Sequence, residues 1–128
     1  MSKQIVRTDA APGPFQGAPY SQAVAAGGLV FVSGQLGVKV GAKELVPGGI
    51  SEQTEQVLTN LKAILEAAGS SLDRLVKTTV YLQHLDDFAA MNEVYSRYVG
   101  DQPPARATVE VAKLPSGALV EVEAVATL

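Results

Sequence analysis

At 128 residues, 47% of them hydrophobic and 18% charged, the chain is long enough for one domain with a sizeable core and has the composition of a folded protein. A net charge of −3 and a sequence pI of about 5.0 argue against general nucleic-acid binding, which draws on a basic face. With no Cys there is no disulfide or thiol chemistry, and with His84 as the one imidazole a His-rich zinc or copper site is not expected.

Residues 4–8 are predicted as a short first strand. The segment before them leads into no apolar stretch of a signal peptide, and no apolar run is long enough for a bilayer, so a cytoplasmic protein is expected. Residues 10–19, rich in Pro and Gly, read as loop. Residues 21–26 and 29–33 read as two strands joined through Gly27-Gly28, a hairpin. Residues 37–49 form a Gly-rich excursion with short extended pieces. Val57, Leu58, Leu61, Ile64, Leu65 and Ala68 then keep a 3.6-residue period, while Glu55, Asn60, Lys62 and Glu66 lie largely off that stripe. Ser51 is the expected N-cap of this helix and Gly69 its stop.

Residues 76–83 are β-branched and strand-like. Asp86 is placed as the cap of a second helix with Phe88, Met91, Tyr95 and Tyr98 on one face, ended by Gly100 and Pro103. Two strands over 105–112 and 119–127 follow, turned at Pro115-Ser116-Gly117. No repeat, low-complexity tract or linker interrupts the chain, so residues 1–128 are expected to form a single α+β domain whose two helices cover one face of the sheet.

The other face poses a problem. In the last strand Val120, Val122, Ala124 and Ala126 form one apolar row, and Leu119, Glu121, Glu123, Val125 and Thr127 the other. Arg106, Thr108 and Glu110 share a row opposite Ala107, Val109 and Val111, and Leu29, Phe31, Ser33 and Gln35 share another. Strands apolar on both faces are buried on both. With helices for only one side, the other side is expected to meet another copy of the chain.

Arg106 and Glu121 are the first candidates for chemistry, because a lone charge inside a strand is costly to desolvate. A guanidinium offers a fork that matches a carboxylate, and a glutamate can hold a water and take its proton. Spacing leaves open an ion pair of Arg106 with Glu110, Glu121 or Glu123, and a solvated Glu121/Glu123 row. Tyr20, after Gly17-Ala18-Pro19, can project over a pocket or pack its loop. Ser33 in Val32-Ser33-Gly34-Gln35 can bind a carboxylate or its own backbone, and Gly34 permits close approach. Asn92 reads as an exposed helical residue and His84 as a solvated turn residue. There is no phosphate loop, nucleophile elbow or aromatic-basic interleaving.

The stretches Ala18-Pro19-Tyr20-Ser21-Gln22-Ala23-Val24, Phe31-Val32-Ser33-Gly34-Gln35-Leu36-Gly37 and Pro104-Ala105-Arg106-Ala107 through Val120-Glu121-Val122 resemble the reactive intermediate deaminase (Rid) family, RidA subgroup. Residues 61–69 and 76–82 share the resemblance, which covers nearly the whole chain. It implies a chorismate-mutase-like (YjgF-type) α+β fold, a homotrimer with sites between subunits, and hydrolysis of 2-imino acids to 2-oxo acids and ammonia without a cofactor or metal. It further implies that Arg106 binds the substrate carboxylate and Glu121 holds the attacking water. Tyr20, Ser33, Asn92 and Phe88 would line the pocket, and a main-chain carbonyl at Ala107 or Thr108 would accept from the iminium nitrogen. Thr108 stands where many relatives have Cys, Ala18 where Gly is common, and Val122 where Ile or Met is usual. Two other readings stand beside the deaminase: an endoribonuclease-type translation inhibitor, and a non-enzymatic ligand-binding or chaperone-like trimer.

Overall fold

The computed structural model describes residues 2–128. Its strands are β1 (Gln4–Val6), β2 (Ala23–Ala26), β3 (Leu29–Gln35), β4 (Leu75–Leu82), β5 (Ala105–Glu110) and β6 (Val120–Thr127). The helices α1 (Ile50–Ala67) and α2 (Phe88–Val99) lie between β3 and β4 and between β4 and β5. They form one mixed six-stranded sheet in the order β1-β2-β3-β6-β4-β5, antiparallel throughout except for the parallel pair β4–β5. That parallel pair needs a crossover, and α2 supplies it. The last strand is thus inserted at the centre of the sheet, between β3 and β4.

The alternation expected of β6 is realised. Val120, Val122, Ala124 and Ala126 face the helices and are buried, as are Val30, Val32, Val80 and Leu82 beside them. Leu58, Leu61, Ile64 and Leu65 of α1 and Met91 of α2 close this core. A smaller cluster of Leu36, Val38, Leu114 and Ala118, flanked by Phe15, Leu45 and Tyr81, sits where the loops after β3 and β5 meet.

Several local expectations need correction. Helix α1 begins one residue before Ser51, with Gly49 as N-cap, and the Gly49 N–H donates to Glu52 Oε1 at 2.8 Å. That bond also holds the Glu52 carboxyl below its ordinary pKa. Asp86 does not cap α2: a single 3-10 turn over Leu85–Asp87 precedes it, and Asp87 holds the N-cap position without a side-chain bond. Phe88 is not part of the buried face of α2, which is Met91, Val94, Tyr95 and Val99. Asn60 is buried, donating to the Leu36 and Val38 carbonyls at 3.2 and 2.9 Å and so pinning the loop that leaves β3. Gln35 does not share the Phe31 row, because the β3–β6 register shifts between Val32 and Gln35 and turns Gln35 to the buried side opposite Val122.

The face away from the helices carries Ile5, Val24, Phe31 and Val125 in consecutive cross-strand register, with Tyr81 and Val109 further along. Ile5 and Phe31 are each 45% exposed and Val109 is 42% exposed. Among the described residues no helix lies over them.

Candidate functional site

Glu121 lies on the open face of β6, paired with Tyr81 of β4. The irregularity at Ser33-Gly34 brings the neighbouring backbone against its carboxylate: a Cβ built on Gly34 would fall 2.8 Å from Glu121 Cδ and closer still to Oε2. Gly34 is therefore the residue that lets a carboxylate lie beside the strand, the close approach that a strand glycine signals. Burial raises the Glu121 pKa above the ordinary carboxylate value, and the neighbouring Glu123 charge raises it further. Glu123 itself accepts a 2.7 Å hydrogen bond from Tyr81 Oη, which with burial pushes the phenol up in turn.

Around Glu121 opens a cavity of about 500 Å³, with Tyr20, Ser33 and Gly34 at its polar side and Phe15, Leu36 and Pro115 among its apolar walls. The Tyr20 loop is built, not free. Buried Gln22 accepts from Thr8 N–H at 2.8 Å and donates to the carbonyls of Thr8, Ala11 and Pro12, tying residues 8–12 to the start of β2. Tyr20 Oη accepts from the Phe15 N–H and so holds the turn whose residue Gln16 takes φ 54°. Ser33 Oγ donates to the Ser21 carbonyl at 2.6 Å, so its proton is committed to the backbone and the oxygen presents lone pairs to the cavity.

Arg106 is elsewhere. On β5 it stands opposite Thr78, which is buried under the helices, so the Arg106 side chain lies on the helix-covered face and Glu121 on the other. Its guanidinium carbon sits 4.8 Å from the Tyr95 ring centroid and 5.5 Å from that of Phe88. Asn92, Tyr95, Pro104 and Arg106 border a second cavity of about 400 Å³. Phe88, Asn92 and Tyr95 follow one another at four- and three-residue steps, a single stripe of α2. Thr108 is half-buried two residues along from Arg106, and Ala107 is exposed on the opposite face. As the edge strand, β5 leaves the backbone groups that point away from β4 without a strand partner.

The ion pairs left open by the sequence are not formed. The one ion pair among the described residues is Arg97–Glu93 at 3.1 Å, while Glu110 accepts from the Leu85 N–H and Glu123 from Tyr81. Within one chain the candidate residues fall into two groups, Tyr20, Ser33 and Glu121 on one side of the sheet and Phe88, Asn92, Arg106 and Thr108 on the other. Sequence reasoning missed Gln22 as the anchor of the Tyr20 loop and Tyr95 beneath Arg106; the Thr78–Tyr95 bond and the buried amide have no periodic signature. Among the described residues no group of His, Asp and Glu converges as a metal site, and no helix is long and apolar enough to cross a membrane.

Comparison with known proteins places this geometry in context. Residues 9–128 match the family model described as Endoribonuclease L-PSP. A RutC family protein of Pyrococcus abyssi is 52% identical over 98% of both chains. A goat (Capra hircus) protein named 2-iminobutanoate/2-iminopropanoate deaminase is 45% identical over 97% of this chain and 89% of its own. The crystal structure of Escherichia coli TdcF with bound serine superposes with a TM-score of 0.89 at 39% identity, covering 98% of each chain.

Proposed function

Because the chain belongs to the Endoribonuclease L-PSP family, the family of the RutC and Rid proteins, we propose that it hydrolyses small 2-imino acids such as 2-iminobutanoate and 2-iminopropanoate to 2-oxo acids and ammonia, in sites shared between copies of a homotrimer. The observation that carries this reading is the pair of complementary half-sites on opposite faces of one sheet. An unpaired guanidinium backed by aromatic rings suits the substrate carboxylate, and a carboxylate of raised pKa beside a cavity suits a water. Neither half suffices alone, and a ring of copies lays the Glu121 face of one against the Arg106 edge of the next. Such a head-to-tail contact closes into a cyclic oligomer. It also covers Phe31 and its apolar neighbours. A goat relative named for this activity and an E. coli relative holding serine, a small amino acid, support the same substrate class.

The chemistry follows from the groups present. Arg106 fixes the carboxylate of an iminium whose carbon is already electrophilic, so the reaction asks for orientation and a placed water. Glu121 takes a proton from that water as its oxygen bonds to the iminium carbon, leaving a neutral carbinolamine. The same carboxyl then protonates the nitrogen, the C–N bond breaks, and the hydroxyl proton returns to Glu121 and leaves with ammonia as ammonium. A carboxyl pushed above its ordinary pKa exchanges protons in both directions more readily at neutral pH than an ordinary one. Ser33 Oγ and a β5 carbonyl at Ala107 or Thr108 are acceptors suited to the iminium N–H groups, while Tyr20, Phe88 and Asn92 line the walls.

The test is release of 2-oxobutanoate when the imine is generated in situ by threonine dehydratase. Parent protein accelerates release and Arg106→Ala does not. No acceleration by the parent refutes the assignment. An endoribonuclease reading, which the family description raises, predicts RNA cleavage that survives Arg106→Ala.

A further inference from the structure

We propose that Tyr95, tethered by Thr78, is a positioning residue that presents the Arg106 guanidinium to its ligand; this rests on the reading of Arg106 as a carboxylate anchor. Arg106 projects from an edge strand on a long flexible stem and has no carboxylate partner among the described residues. Among the described residues, then, nothing polar fixes its head. The Tyr95 ring does: it lies 4.8 Å under the guanidinium carbon, is only 5% exposed and is held in the core by α2. Its hydroxyl shares a 2.7 Å hydrogen bond with Thr78 Oγ1, itself 1% exposed, and Thr78 stands opposite Arg106 in the β4–β5 register. Tether, ring and guanidinium thus form a column built across two adjacent strands and one helix.

A ring beneath the guanidinium carbon attracts the cation without consuming an N–H donor, which leaves an N–H edge free. That edge is what a carboxylate needs for two parallel hydrogen bonds. Phe88, 5.5 Å away and 42% exposed, adds a second ring without a tether. Tyr95 is accordingly the fixed support and Phe88 a wall of the pocket. On this account Tyr95 changes how well the ligand carboxylate is held and leaves the proton transfers of Glu121 alone.

Two measurements test it. In NMR of the intact parent assembly without ligand, the Arg106 δ-methylene protons shift upfield from the ring current of Tyr95. The second is titration with 2-oxobutanoate. Tyr95→Phe, which keeps the ring, stays within about threefold of parent affinity, and Tyr95→Leu loses about tenfold. In turnover the Tyr95→Leu loss appears in KM, with kcat within about threefold. Absence of the upfield shift in the parent, or parent-like affinity in folded Tyr95→Leu, overturns the proposal. So does an equal affinity loss in Tyr95→Phe and Tyr95→Leu, since that assigns the effect to the tether and not to the ring. Should Tyr95→Leu not fold, the parent shift and the Tyr95→Phe affinity decide alone. A parent with the upfield shift but no affinity for 2-oxobutanoate refutes the carboxylate-anchor reading instead, so the two failures are separable.

Discussion

A Gly34→Ala protein is expected to keep its fold and lose about two orders of magnitude in turnover. Gly34 has no positive φ, so alanine meets no backbone strain there. The new methyl would lie 2.8 Å from Glu121 Cδ and closer to Oε2, and reaching an ordinary 3.4 Å separation moves the carboxylate by more than half an ångström. The displaced atoms are the far end of a flexible side chain, so stability changes by no more than about 1 kcal/mol, with a small gain from reduced freedom of the unfolded chain. Chemistry is less tolerant: a misplacement on the scale of 1 Å costs roughly 100-fold, equivalent to about 2.7 kcal/mol on the barrier. Thermal unfolding and kcat from the coupled 2-oxobutanoate assay read the two quantities separately. Parent-like turnover in the folded Gly34→Ala protein would refute the idea that Glu121 acts from the position it occupies here.

Other consequences follow from the same geometry. The acid limb of kcat/KM falls at a pH above the ordinary carboxylate range, because Glu121 must be ionised to take the water proton; Glu123→Gln removes a neighbouring charge and moves that limb to lower pH, which a pH–rate profile reads. The raised folded-state pKa also means that the contribution of Glu121 to stability is present below its unfolded pKa and is lost as pH rises through the folded value, so Glu121→Gln raises Tm at neutral pH but not at strongly acid pH. Thr54 is fully buried with its hydroxyl unpartnered, so Thr54→Val stabilises by about 1 kcal/mol in denaturant unfolding; a loss of that size would show an unrecognised partner. Phe31→Glu places a charge on the exposed apolar face and yields monomers in analytical ultracentrifugation, whereas an unchanged sedimentation coefficient would remove that face from the interface.

The parts of the fold that follow from periodicity were legible in the sequence. The stripe of α1 and the alternation of β6 are local patterns, and each emerged as read, within one or two residues at the ends. The bulge at Ser33-Gly34 was not legible as a change of row. One irregular residue pair reverses every side chain after it, and strict alternation carries no mark of where that happens. Asn60 was placed largely off the apolar stripe because helical period sees only hydrophobicity, while this amide is buried and holds two loop carbonyls.

The candidate residues could be named from the sequence, but not their arrangement. Alternation assigns Arg106 and Glu121 to rows within their own strands, but relating the two rows requires the strand between them. β4 separates β5 from β6 in the sheet although it precedes both in the chain, a non-local pairing that no short motif encodes. Tyr95 was placed on one face of the second helix, and it is buried there; its contact with Arg106 depends on the crossover that brings α2 over the β4–β5 edge.

Subunit mixing decides whether Arg106 of one copy and Glu121 of another form one site. Arg106→Ala and Glu121→Gln proteins, each inactive alone, are unfolded together in equal amounts and refolded. If the site lies between copies in a closed ring, roughly a quarter of the sites receive an intact Arg106 and an intact Glu121, and about that fraction of parent activity returns. If both groups must come from the same chain, no mixed assembly contains a complete site, and the mixture stays as inactive as its parts.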